Sequence, residues 1–126
     1  MTDPISDMLT RIRNAQIVNN REVLMPYSNI KFEIAKLLKT NKFVSGVKKI
    51  KGESFDSILI TLKKDGIKAI DRVSKPGQRI YVKSQDLDVN YKYGKGFVFV
   101  STSQGILDSK TAKKSKLGGE ILFRVW

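Results

Sequence analysis

Neither cysteine nor histidine occurs anywhere in the 126 residues. The first absence excludes disulfides and cysteine-based zinc sites. The second removes the commonest general base, so no Ser-His or Cys-His nucleophile pair exists, and a metal would have to rest on carboxylates alone. Carboxylates are themselves scarce: 12 Asp and Glu stand against 24 Lys and Arg. They are scattered among lysines, the closest pair being Asp86 and Asp88 in a polar stretch. No catalysis, metal, cofactor or small-molecule substrate is therefore expected. Long apolar runs are missing too. Ile58–Ile60 and Phe97–Val100 are of strand length, far below the roughly 20 residues of a membrane-spanning helix. The opening MTDPISDML has an acid at position 3 and no apolar stretch, which predicts no secretory signal. Together these absences predict an intracellular protein with no membrane partner.

What is present is positive charge. The chain carries a formal +12, of which residues 1–63 contribute +5 and residues 64–126 contribute +7. Charge spread this evenly belongs to a folded basic surface rather than to a tail, and the polyanion such a surface most readily meets is nucleic acid. With 40% hydrophobic residues the chain can fold as one ordinary domain or as two very small ones sharing an interface.

Local signals predict the second arrangement. Asp3 is a good N-cap, Pro4 suits the first helical position, and Ile5, Met8, Leu9 and Ile12 recur at helical spacing up to Asn19-Asn20. Val23-Leu24-Met25 reads as a short strand stopped by Pro26. Ser28 or Asn29 caps a second helix, whose expected buried face is Ile30, Ile34, Leu37 and Leu38. Strands follow over Phe43–Lys51, with a bulge at Gly46, and over Ser57–Leu62. Asp65-Gly66 is a turn and the expected boundary, dividing the chain into an α-β-α-β-β domain over 1–65 and a second domain over 66–126. In the second, Lys68–Ser74 and Arg79–Lys83 are short extended runs joined by Lys75-Pro76-Gly77-Gln78, ordered as for a type II turn. Ser84 could open one helical turn. The apolar strand FVFV, a polar link, a short helix capped by Asp108 and a final strand Glu120–Trp126 complete the chain. That last strand reads as strictly alternating, with Ile121, Phe123 and Val125 on one face. The fold class is α+β: two small packed α/β domains, the second of mostly antiparallel strands with one short helix.

The stretch KGFVFVST, Lys95–Thr102, imitates the signature strand of an RNA-recognition motif, in which two aromatics on one face stack bases. Lys95, Gly96, Phe97, Phe99 and Val100 fit that pattern; Val98 is too large and Thr102 is not aromatic. A βαββαβ threading would make Ser57–Leu62 the companion strand and Lys68–Ser74 a helix. The companion has no aromatic, and the helix would be only seven residues long and end at a Pro-Gly turn. Moreover, Val98 and Val100 make both faces apolar, as in a strand buried on both sides. A core role is therefore expected for Phe97 and Phe99, with base stacking as the competing reading.

Immediately downstream, Ser101-Thr102-Ser103-Gln104-Gly105 sets three consecutive hydroxyls, each both donor and acceptor, before a glycine. One reading is a plain turn. The other is a rigid cluster that hydrogen-bonds 2′-hydroxyls and exposed base edges, with Lys110, Lys113, Lys114 and Lys116 gripping adjacent phosphates. Gly118 and Gly119 then permit bare backbone close to a partner. Glu120 either braces the hydroxyl loop or simply begins the strand.

Three ordered blocks resemble a known family: DPISDMLTRIRNA (Asp3–Ala15), RVSKPGQRIY (Arg72–Tyr81), and STSQGIL followed by GGE (Ser101–Leu107, Gly118–Glu120). Together with MPYSNIKFEIAKLL (Met25–Leu38), they are similar to bacterial small-subunit ribosomal protein S-eight, over a range from residue 3 nearly to the end. The resemblance implies a structural component of the small subunit that binds an irregular helix in the central domain of small-subunit ribosomal RNA, early in assembly. It implies RNA contacts through Ser101, Thr102, Ser103 and Gly105, supported by Gly118, Gly119 and Glu120. Backbone contacts would come from Thr2, Arg11, Arg13, Ser28 and Lys31, with Lys75 and Tyr81 on the RNA-facing side. It further implies neighbouring ribosomal proteins as partners, no homo-oligomer, and a place in a cytoplasmic or organellar ribosome. Some members repress their own messenger RNA through a similar loop. The sequence departs from the family at Asp108-Ser109, where Thr-Asp is usual, at Lys113, where arginine is usual, and at Lys116 and Trp126.

Overall fold

A computed structural model describes residues 3–87 and 97–126. Thr2, Asp88 and the Lys95-Gly96 start of the look-alike strand lie outside the described residues. The chain divides into two compact units, Met1–Lys68 and Ala69–Trp126, and is of the α+β class, as expected.

The first unit begins with α1, Pro4–Ile17. Asp3 caps it as its sequence requires: one carboxylate oxygen accepts the Ile5 and Ser6 N–H groups at 3.2 and 3.3 Å, and the other accepts the Ser6 hydroxyl at 2.6 Å. Ile5, Met8, Leu9, Ile12 and Ala15 form its buried stripe. Strand β1 (Glu22–Pro26), helix α2 (Asn29–Thr40), β2 (Val44–Ile50) and β3 (Ser57–Leu62) follow. The three strands form an antiparallel sheet in the order β1-β3-β2. The bulge falls between Val44 and Gly46, leaving Ser45 as the extra residue, and its hydroxyl donates to the Thr61 carbonyl at 3.1 Å.

The buried stripe of α2 differs from expectation. It is Lys31, Ile34, Ala35 and Leu38, while Ile30 is exposed. Positions 31, 34, 35 and 38 repeat at helical spacing as well as 30, 34, 37 and 38 do. The phase actually adopted puts a lysine inside, where its four-carbon stem can cover apolar surface.

The second unit holds β4 (Ile70–Arg72), β5 (Tyr81–Val82), a single 3-10 turn at Ser84–Asp86, β6 (Phe97–Thr102), β7 (Gly105–Asp108), α3 (Ser109–Lys114) and β8 (Gly119–Val125). Its antiparallel sheet runs β4-β8-β6-β7, and β5 also pairs with β8. Strand β7 replaces the expected polar link, since Ile106 and Leu107 pair with Ser101 and Val100. The segment threaded above as a helix carries β4 instead, which removes the RNA-recognition-motif order. The Lys75–Gln78 turn is closed by reciprocal backbone bonds of 2.9 Å. Among the described residues Gly105 is the glycine with positive φ, so Gly77 does not supply the positive φ of a type II turn; Pro76 at the second position suits type I equally well.

Strand β8 does not alternate strictly. Phe123 lies opposite Phe99 and Ile121 opposite Val100, so Leu122 is an extra residue in a bulge. Ile121, Leu122 and Phe123 are all buried, and Ile121 and Phe123 face opposite sides. The bulge is held from β4: the Leu122 carbonyl accepts the Val73 N–H at 3.0 Å and the Arg72 guanidinium at 2.7 Å. On one face Ile121 joins Val98, Val100, Leu87 and Ala112 in a core cluster; on the other Phe99 meets Phe123.

Candidate nucleic-acid interface

Core packing settles which residues of β6 are available to a ligand. Val98, Phe99 and Val100 are buried, and Phe97 is half-buried with the Lys110 ammonium 5.0 Å from its ring centroid. Phe99 therefore offers no face to a base, and a two-phenylalanine stacking platform does not form.

Solvent-accessible chemistry begins where β6 ends. Ser103 and Gln104 link β6 to β7 and are exposed. Both avoid positive φ, which falls instead on Gly105 at 106°. Thr102 pairs with Gly105 and Ser101 with Ile106, so Ser103-Gln104 is a two-residue hairpin loop. Thr102 Oγ1 donates to the Gly105 carbonyl at 2.7 Å and accepts the Gln104 N–H at 3.2 Å. The hydroxyls of Ser101 and Ser103 make no hydrogen bond among the described residues.

Gly118 and Gly119, where β8 begins, lie close against other backbone. A Cβ on Gly118 would come within 2.5 Å of the Val82 carbonyl oxygen, and one on Gly119 would collide with the Ser101 carbonyl. Backbone thus packs on backbone, and β8 starts close against the end of β6. In register, Tyr81 lies opposite Glu120, and Glu120 opposite Ser101. Directly paired residues project to the same face, so Tyr81, Glu120 and Ser101 form one row. Tyr81 is 65% exposed and stands two strand spacings, about 10 Å, from Ser101. The half-buried Glu120 carboxylate makes no hydrogen bond or ion pair among the described residues, so it begins the strand and does not brace the loop.

Helix α3 is capped by Asp108, which accepts the Thr111 N–H at 3.3 Å. Lys110 and Lys113 are exposed on this helix. Exposed Lys75 lies on the 75–78 turn, which is anchored from behind by Ser74. That fully buried hydroxyl accepts the Ile80 N–H at 2.8 Å and donates to the Ile80 carbonyl at 3.3 Å. Ser74 and Arg72 are supports that sequence reasoning passed over, although both sit inside the RVSKPGQRIY block.

The remaining candidates belong to the first unit. Ser28 spends its hydroxyl as the N-cap of α2, accepting the Lys31 N–H at 3.2 Å. Arg11 is exposed and paired with Asp7 at 2.9 Å; Arg13 is half-buried. Lys31 is only 6% exposed. Burial, the largest cause, holds its ammonium below the ordinary lysine value; nearby Asp7 raises it in part and Arg11 lowers it further. Beside Ser28 runs a row that sequence reasoning missed. Tyr27 and Phe32 are 5.6 Å apart, with Lys49 over the Tyr27 ring at 4.4 Å and Lys36 over the Phe32 ring at 5.0 Å. Aromatics flanking a helix cap in a lysine-rich segment were the available signal.

The family model described as Ribosomal protein S8 matches residues 3–126. The chain belongs to the ribosomal protein S8 family. Among its relatives, the small ribosomal subunit protein uS8 of Lysinibacillus sphaericus is 45% identical, over 100% of this chain and 98% of the relative. Proteins of the same description from Staphylococcus epidermidis and Staphylococcus aureus are 41% and 40% identical over the same shares. The resemblance stated from the three sequence blocks is thus borne out over the whole chain. Ribosomal protein S8 is structural rather than enzymatic, in keeping with the lack of histidine and cysteine.

Proposed function

We propose that this protein binds an irregular helix in the central domain of small-subunit ribosomal RNA and supports assembly of the small subunit of the cytoplasmic ribosome. A regular A-form helix hides its base edges in a deep, narrow groove, so specific reading takes place where the helix is irregular. The observation that carries this reading is the turn at Ser101–Gly105: two seryl hydroxyls that make no hydrogen bond among the described residues, at the end of a strand whose Val98, Phe99 and Val100 are buried. Gly118 and Gly119 bring the neighbouring backbone close, and Glu120 and Tyr81 extend the row from Ser101. Lysines at 75, 110 and 113 supply phosphate contacts that set register, while the hydroxyls supply discrimination. Arg11, Arg13, Ser28, Lys31 and Thr2 would add backbone contacts from the first unit, and neighbouring ribosomal proteins would cover other surfaces. The same turn would bind a similarly folded stem in the protein's own messenger RNA and repress its translation.

A titration at near-physiological salt tests this. A stem with an internal loop from small-subunit ribosomal RNA is compared with an unstructured strand of equal composition, each with the unmodified protein and with Ser103→Ala. Preference for the stem, lost in the variant while binding to the unstructured strand persists, supports the reading. Equal affinity for both RNAs overturns it. If roughly 6–10 phosphates are engaged, raising salt from about 50 to 200 mM lowers affinity by about 10³–10⁵, by analogy with duplex DNA.

A further inference from the structure

The three hydroxyls of Ser101–Ser103 are not equivalent. A threonine hydroxyl has one proton to donate and two lone pairs. Thr102 commits its proton to the Gly105 carbonyl at 2.7 Å and one lone pair to the Gln104 N–H at 3.2 Å. These bonds reach from the last residue of β6 to the second turn residue and to the first residue of β7, so they close around Ser103. Neither flanking serine has such a commitment among the described residues. We infer that Thr102 is the positioning residue of the RNA-binding turn, holding Ser103 in place before RNA arrives, and is not itself a reader of RNA. This inference rests on the function proposed above.

The physical case comes from what else could hold the turn. Ser103 and Gln104 are exposed, and Gly105, at φ 106°, brings no side chain to restrain it. The Thr102 hydroxyl is the side-chain group that ties the turn together. Its β-branched side chain also has few rotamers to lose, so the clasp costs little entropy. A tip fixed in advance does not have to be ordered on binding, which lowers the cost of forming the complex. To donate to RNA, this hydroxyl would have to withdraw its proton from the Gly105 carbonyl, leaving that acceptor without its partner, and only one lone pair is left for accepting.

A double-mutant cycle distinguishes positioning from contact. Affinities for the internal-loop stem and for an unstructured strand are measured at one salt concentration for the unmodified protein, Thr102→Val, Thr102→Ser, Ser103→Ala, and the Thr102→Val/Ser103→Ala pair. Each single loss of a hydroxyl is expected to weaken stem binding about tenfold. The double variant should lose little more than the worse single one, because a misplaced serine and a missing serine cost the same contact. Thr102→Ser should recover to within about threefold. Losses that multiply to about a hundredfold would mean that Thr102 touches the RNA itself, and would overturn the inference while leaving the proposed function intact. Absence of any stem preference in the unmodified protein would remove both. Hydrogen exchange in the unmodified protein gives a reading that depends on no variant's folding: the Gln104 amide should exchange more slowly than the Ser103 amide. Equal rates would show that no clasp exists.

Discussion

Phe99 and Phe123 face each other across the β6–β8 pair with ring centroids 4.8 Å apart at 89°, an edge-to-face contact between two fully buried rings. The strand that most resembles a base-stacking platform is thus committed to the interior. Phe99→Ala is expected to destabilise the protein by about 3–5 kcal/mol, measured by urea unfolding. RNA affinity per folded molecule should hardly change. A stacking platform would give the opposite pattern, with affinity lost and stability kept.

Lys31 makes stability depend on pH in the alkaline range. Its folded-state pKa lies below the 10.5 of an ordinary lysine. Between those two values the unfolded chain binds more protons than the folded one, so stability rises with pH there. Below the folded value both states are protonated, and the cost of burying the charge is present in full. Lys31→Met should raise stability near neutral pH, on the order of 1 kcal/mol, and remove this contribution to the alkaline rise. Urea midpoints across that range check both effects; an unchanged slope would mean that the amine is solvated.

The helices α1, α2 and α3 each end with a left-handed residue that is not glycine: Asn19 at φ 59°, Lys42 at 66° and Lys116 at 58°. Each end shows the paired closing bonds of a Schellman motif, such as Leu117 N–H to the Ala112 carbonyl at 2.9 Å and Lys116 N–H to the Lys113 carbonyl at 3.1 Å. Glycine adopts this conformation without a Cβ penalty. Lys116→Gly should therefore stabilise by about 0.5–1 kcal/mol, read as a rise in thermal midpoint, and so should Lys42→Gly.

Gly119 should tolerate no side chain. The collision of a Cβ with the Ser101 carbonyl is backbone against side chain, with no flexible end to yield. Gly119→Ala is expected to cost about 1–3 kcal/mol in stability and to weaken binding to the structured stem more than Gly77→Ala, where an added Cβ meets open space. Equal effects at the two glycines would mean that the close approach carries no weight.

How much of this was legible depended on whether a signal was local. The Asp3 cap, the α1 stripe and the Asp108 cap were readable because each is set by residues within four positions. The phase of α2 was not. Ile30 and Lys31 both extend a helical stripe, and only the packing partners choose between them. The hydroxyl turn stood out as a cluster of residues, but the division of labour between Thr102 and its neighbouring serines is a matter of which oxygen faces which amide. Strand β7 was hidden because Gly105–Asp108 is only four residues long and draws its stability from β6. The bulge in β8 left no local trace at all, for Ile121–Val125 alternates acceptably in sequence.

That bulge acts as a phase shifter. Glu120 and Phe123, three positions apart, would lie on opposite sides of a regular strand; inserting Leu122 returns them to the same side, the one shared by Ser101 and Phe99. The polar end and the aromatic end of β8 therefore belong to different reading frames of one ribbon. Removing Leu122 would delete no proposed RNA contact, yet it would turn Gly119 and Glu120 half a revolution relative to the aromatic pair. Selection on RNA recognition would then act on the length of this strand as firmly as on the identity of its serines and glycines.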